Sequence, residues 1–248
     1  MGVTFAAIAF LPGLAFGSFL NVVAARVPLR RSVVHPGSAC MTCGTSLAWY
    51  DNIPLISFAL LRGRCRHCAA PIPWRYPLVE GVTALLITAC VLRFGLTADA
   101  LVAAFFCAVL VAISATDIEH RIIPNRIVLP AAGIVLVANT LLHPSIAWAV
   151  AGLGAALFLL VAALAYPGGM GMGDVKLALL LGFALGWAVP VALMLGMLAA
   201  ILPSLVLFAR HGRAARKMRI PFGPFLAFGG VVALFAGPAL LHAYLGLL

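Results

Sequence analysis

The chain has 248 residues and a formal net charge of +10, with 65% hydrophobic residues and only 9% charged ones. A soluble domain carries about a quarter charged residues, so a disordered chain, a collagen-like chain and an ordinary soluble enzyme are excluded. Sixteen bases against six acids suggest a nucleic-acid binder, yet most of this sequence would not stay in water, and no nucleic-acid partner is expected. The composition is that of a polytopic membrane protein whose surroundings are the lipid bilayer.

In chain order, the stretches free of charge are 1–25, 100–116, 127–173, 177–209 and 220–248. A helix needs roughly 20 apolar residues to cross the hydrocarbon, so 127–173 holds two spans, broken near His143-Pro144-Ser145. The stretch 177–209 is long for one span and tight for two, with a break signal at Gly186-Trp187 and Pro190. Cytoplasmic loops collect Lys and Arg, and that decides the count. With two spans there, fifteen of the sixteen bases fall on one side and only Arg93 on the other. With one span, the cluster Arg210–Arg219 lands outside. The expectation is an all-α bundle of about eight spans, 3–25, 76–93, 99–116, 127–142, 146–166, 175–188, 190–209 and 223–246, with both termini outside. Residues 1–25 lack the basic start and short apolar core of a cleaved signal peptide.

Between the first two spans lies a polar segment rich in Pro and Gly, giving a predicted division into a first span (1–26), a cytoplasmic domain (27–75) and a membrane domain (76–248). The segment holds Cys40-Met-Thr-Cys43 and Cys65-Arg-His-Cys68, each in a Gly-bearing turn. Two such knuckles converge four thiolates on one ion, which predicts a structural tetrahedral Zn²⁺ site at Cys40, Cys43, Cys65 and Cys68. Disulfides rarely persist in a reducing compartment, and a redox Cys-x-x-Cys normally comes singly on a thioredoxin-like unit. His35 and His67 are spare ligands nearby.

Ionisable groups at membrane depth are costly and usually functional. Of the six acids, Asp99 reads as a cap and Asp51 lies in the cysteine segment. Asp117 closes span three, and Asp174 opens span six after Gly168-Gly-Met-Gly-Met-Gly173. Both fall at the cytoplasmic edge, where two carboxylates can share a proton and activate a water, as aspartic peptidases do. The same positions also suit a helix cap and a solvated loop acid. The glycines favour the catalytic reading, because a cap needs one small residue whereas several allow close approach of a substrate strand.

The run Gly-Met-Gly-Met-Gly-Asp174-Val-Lys-Leu resembles the Gly-x-Gly-Asp motif of the type IV prepilin peptidases, bifunctional aspartic peptidases and N-methyltransferases. The resemblance extends nearly end to end, through Gly17-Ser-Phe-Leu-Asn-Val22, the cysteine pairs with Asp51-Asn-Ile-Pro-Leu55, Arg75-Tyr-Pro-Leu-Val-Glu80, Asp117 with Ile-Pro-Asn125, and Pro221-Phe-Gly-Pro-Phe225. It implies Asp117 and Asp174 as the catalytic pair and the four cysteines as zinc ligands. It also implies a prepilin or type II secretion pseudopilin precursor as substrate, cleaved just before its hydrophobic helix. Methylation of the new N-terminus with S-adenosylmethionine rests on the resemblance alone; no Gly-x-Gly-x-x-Gly pattern marks a soluble methyltransferase fold. Asn125 departs from relatives that carry an acid there, and leaves Asp117 a better candidate than Glu119. A cleavage-only preflagellin-type peptidase and a non-enzymatic multispan assembly or transport protein are the rival readings. The resemblance places the protein in the bacterial inner membrane with its site at the cytoplasmic face.

Helix ends predict the roles of the pair. A helix C-terminus disfavours a negative charge at Asp117 and a helix N-terminus favours one at Asp174, which makes Asp174 the base and Asp117 the protonated acid. Gly171, Gly173, Lys176 and Glu80 are candidate substrate-binding residues, Lys176 alternatively reaching for the interface.

Overall fold

A computed structural model describes residues 2–165, 170–212 and 220–245. The described residues contain no strand, only two isolated bridges, Ala39 with Ser46 and Arg64 with Pro71. The helices are α1 (Gly2–Arg26), the short α2 (Ile56–Leu60), α3 (Arg75–Phe94), α4 (Ala98–His120), α5 (Asn125–Leu142), α6 (Ala147–Ala165), α7 (Met172–Leu185), α8 (Val189–His211) and α9 (Gly223–Leu245). Leaving aside α2, these are the eight long helices expected. Among the described residues six stretches are long and apolar enough to cross a bilayer, the last being Met172–Arg210. That last stretch of 39 residues would rise about 58 Å, twice a hydrocarbon core of about 30 Å, so it crosses twice. The chain breaks it with a 3₁₀ turn at Gly186–Ala188, where Gly186 takes a φ of +54° that a side chain would resist. The protein is a multi-pass membrane protein.

The chain divides into two compact units, Met1–Ala115 and Thr116–Leu248. In the first, α1 lies against α3 at the closest distance two helices allow. A Cβ on Gly13 would come within 2.8 Å of the Ala84 Cα, and one on Gly17 within 2.6 Å of the Glu80 Cα. Helices in lipid gain little from hydrophobicity and associate through such small-residue faces, here four residues apart. Leu20 and Ala24 of α1, Val79 of α3, and Ala108, Val111 and Ala112 of α4 complete the packing. The Asn21 amide, buried in α1, donates to the Tyr76 carbonyl at the start of α3 (3.1 Å).

In the second unit, glycines again set the spacing. The Gly182 backbone of α7 touches Gly152 of α6, and a Cβ there would stand 2.6 Å from the Ala151 carbonyl oxygen. Gly229 of α9 rests on the Ala192 carbonyl of α8. Asn139 of α5 donates to the Phe183 carbonyl of α7 at 2.9 Å, satisfying a polar side chain that lipid could not. The Gly182→Val variant is expected to lose about 1–3 kcal/mol through overpacking against backbone that has no room to retreat. Gly154→Ala, on the open side of α6, meets nothing within 4 Å and should leave the unfolding midpoint in detergent unchanged.

Candidate active site and metal centre

The second unit brings the two predicted catalytic carboxylates into one neighbourhood. Asp117 lies in the last turn of α4 and is only 6% exposed, whereas Glu119 two residues on faces outward. Its Oδ2 accepts the Gly223 N–H, the first residue of α9, at 2.9 Å. A Cβ on Gly223 would stand 2.9 Å from that same oxygen, so the position admits no side chain. Asp174 is the third residue of α7 and 8% exposed, and its Oδ2 accepts the Gly171 N–H at 3.1 Å. The two carboxylates are close enough to interact electrostatically.

The segment after α4 fastens α7 beside Asp117. Ile123 packs on Gly173, whose Cβ would meet the Ile123 Cβ at 2.9 Å, and Lys176 Nζ donates to Asn125 Oδ1 at 2.8 Å. Of the glycines ahead of Asp174, Gly173 is therefore occupied by packing. Gly171 is the one whose missing Cβ opens space beside the carboxylate, 3.4 Å from Oδ2. Gly168 and Gly169 lie outside the described residues. Lys176 does not simply reach for the interface; it is bonded to Asn125. Sequence reasoning gave Gly223 no role, although the Pro221-Phe-Gly-Pro-Phe225 run marked the place: a glycine between prolines at a helix start is where a backbone N–H is left for an outside acceptor.

The fourth predicted substrate residue, Glu80, belongs to the first unit. It is 8% exposed on α3 and accepts the Leu55 N–H at 2.9 Å, with Ser18 also bonded to it.

The four cysteines converge as expected, every Sγ within 4.8 Å of the others. The Cys40 to Cys68 separation is 3.8 Å, equal to the edge of a tetrahedron with Zn–S bonds of about 2.3 Å. Each pair sits in the same backbone turn. Cys40 N–H donates to Thr45 O (2.9 Å) and Gly44 N–H to Cys40 O (2.9 Å); Cys65 N–H donates to Ala70 O (2.8 Å) and Ala69 N–H to Cys65 O (3.0 Å). Gly44 and its counterpart Ala69 both have positive φ, +72° and +55°. Inward-pointing amides lower the Cys40 thiol, through Cys43 and then Thr42, and the Cys65 thiol, through Cys68 and then His67. The Thr45 hydroxyl lowers Cys43. Cys68 accepts from the Ala70 N–H, which favours the thiolate, but burial and the other three sulfurs push it up to about 11. Three sulfurs whose thiolates are favoured and a fourth whose thiolate they oppose form a donor set that a soft divalent cation would complete.

Beside this cluster Arg66 grips Asp51 with two nitrogens, Nη2 to Oδ1 at 2.6 Å and Nε to Oδ2 at 3.1 Å, and lies over the Tyr50 ring.

Residues 11–94 match the family model described as the bacterial peptidase A24 N-terminal domain, and residues 104–208 the one described as the type IV leader peptidase family. The chain is 35% identical to a prepilin leader peptidase/N-methyltransferase of Bacillus subtilis, across 96% of this chain and 97% of the relative. It belongs to the type IV leader peptidase family. Relatives of the same name include one from Myxococcus xanthus, 42% identical across 87% of this chain and 67% of its own length. Another, from Pseudomonas aeruginosa, is 36% identical across 95% and 91%. No solved structure matches the chain. Family segments thus supply both Asp117 and Asp174 from one model and all four cysteines from the other.

Two outcomes test the metal centre. If the four sulfurs hold a divalent metal ion, Cys40→Ser should abolish the metal that elemental mass spectrometry finds with the wild type. The Arg66 guanidinium, through its hydrogen bonds and then its charge, holds Asp51 below its usual 3.8. A lowered carboxylate stabilises the fold above the unfolded value and loses that contribution as pH falls through the folded one. Arg66→Ala should therefore speed proteolysis of the 27–75 segment at pH 7, and the difference from the wild type should shrink as pH falls below 3.8 and through the lowered folded value.

Proposed function

We propose that Asp117 and Asp174 are the catalytic pair of an aspartic peptidase that removes the leader from prepilin-like precursors and whose protein also methylates the new N-terminal amine. As a member of its family the chain is a prepilin leader peptidase and N-methyltransferase. The observation that supports the pair is that two carboxylates, nearly sealed from solvent and each bonded by one backbone N–H, interact within one unit. Two such groups hold one proton between them. The ionised member takes a proton from the attacking water while the protonated member hydrogen-bonds the scissile carbonyl.

Asp174 is the base in this scheme. It sits at the start of its own helix, which favours the anion. Asp117 sits between the end of α4 and the start of α9, whose opposed dipoles nearly cancel. Gly171 leaves the flank of Asp174 open to the substrate backbone, and Lys176 and Gly173 set the spacing between α7 and the segment after α4. The substrate is a pilin of type IV pili or a pseudopilin of type II secretion, its basic leader in the cytoplasm and its apolar helix among the spans. The protein resides in the bacterial inner membrane with the site at the cytoplasmic face and both termini outside.

The four-cysteine cluster binds zinc, closed and structural because four thiolates leave no position for water. S-adenosylmethionine supplies the methyl group when bound. Residues 1–26, 27–75 and 76–248 serve as membrane anchor, zinc domain and peptidase domain. Asp117→Asn and Asp174→Asn should each reduce cleavage of a model prepilin in membranes by at least about 100-fold; near-normal cleavage by either variant would sink the pair.

A further inference from the structure

A cavity of about 230 Å³ opens in the first unit between α1, the cysteine segment and the start of α3. Its walls are apolar where Val22, Leu55, Phe58 and Pro77 line it, and Glu80, a buried residue of α3, also lines it. Neither Asp117 nor Asp174 lines this cavity. We propose that the cavity is the methyl-acceptor site and that Glu80 receives the proton of the substrate's new N-terminal ammonium; this rests on the methyltransferase reading above.

The assignment comes from comparing every ionisable group that lines the cavity. Arg26 and Arg66 have no acceptor atom. Asp51 is committed to Arg66 through two nitrogens. Cys40 and Cys65 belong to the metal cluster, and His67 stands between its two cysteine neighbours on the exposed rim. The Tyr76 hydroxyl already accepts from Arg75, and its carbonyl from Asn21. Glu80 alone is an acceptor not engaged by a cation: it is held by the Leu55 N–H and by Ser18, neutral donors that fix its direction without cancelling its charge. A buried carboxylate in an apolar enclosure is the complement of a primary ammonium borne by an apolar residue, which is the terminus that leader removal creates.

The step balances. The acceptor's ammonium gives one proton to the Glu80 carboxylate and becomes a neutral amine. The freed nitrogen lone pair forms the N–CH₃ bond as the S–CH₃ bond of a sulfonium methyl donor breaks, its electron pair returning to sulfur as a thioether. The product leaves as a secondary ammonium, and Glu80 passes its proton to water.

The experiment uses the full chain in lipid nanodiscs, S-adenosylmethionine labelled in the methyl group, and an already cleaved, unmethylated pilin peptide with a free N-terminal phenylalanine, so that peptidase activity plays no part. The Glu80→Gln variant should lower kcat for methyl transfer by at least about 100-fold at pH 7. Its rate should then climb as pH passes the pKa of a free α-amine, about 7.7–8.0, while the wild type changes little. Glu80→Asp should recover at least about tenfold over Gln at pH 7, and affinity for S-adenosylhomocysteine by calorimetry should be alike in all three proteins. A Gln variant within threefold of the wild type at pH 7, or a deficit that is the same at every pH, overturns the proposal. A wild-type protein that leaves the acceptor unmethylated overturns the methyltransferase reading itself and this assignment with it.

Discussion

The hydrogen bond from the Gly223 N–H to Asp117 joins the end of one helix to the start of another through a carboxylate with almost no access to water. In a protein surrounded by hydrocarbon, a charge-bearing group must find its partners inside the chain, and a helix start is one of the few places where backbone donors are unclaimed. Asp174 obeys the same rule with the N–H of Gly171. Each of the two acids thus takes a main-chain donor from the start of a helix. A side chain at Gly223 would remove the arrangement at its root, since the oxygen and the missing Cβ claim the same space.

The same economy of space governs helix packing. Gly17 against Glu80 and Gly182 against Gly152 bring backbones into contact where larger residues would hold them apart. In the first unit this matters for chemistry as well as cohesion, because the close seam between α1 and α3 is what seals Glu80 from solvent on one side while the cysteine segment closes it on the other. A metal ion held by the four cysteines, set in two matching turns, would keep a segment with little apolar core of its own folded as that cover.

Much of this was legible in the residues. The scarcity of acids isolated Asp117 and Asp174, and the distribution of basic residues called for eight helices, which are present. The cysteine spacing announced a four-sulfur site, now seen with a 3.8 Å edge. Three features stayed hidden because they depend on contacts across fifty residues or more. The glycine cluster read as one surface for substrate, yet Gly173 is taken up by Ile123. Lys176 carried two readings and made a third contact, with Asn125. The helix-dipole argument for Asp117 saw only the helix that ends there, since no local pattern reveals that another begins against it. Glu80 was read as a candidate substrate-binding residue; its unit and its cavity became visible only in three dimensions.

Helix α7 has only 14 residues, a rise of about 21 Å against a hydrocarbon thickness of about 30 Å. Such a helix leaves a deficit of several ångströms that the membrane makes good by thinning or by admitting water at one end. The end in question carries Asp174. A short helix calls for such an adjustment of the bilayer, and one at this end would bring water to Asp174 without any residue of α7 leaving the lipid.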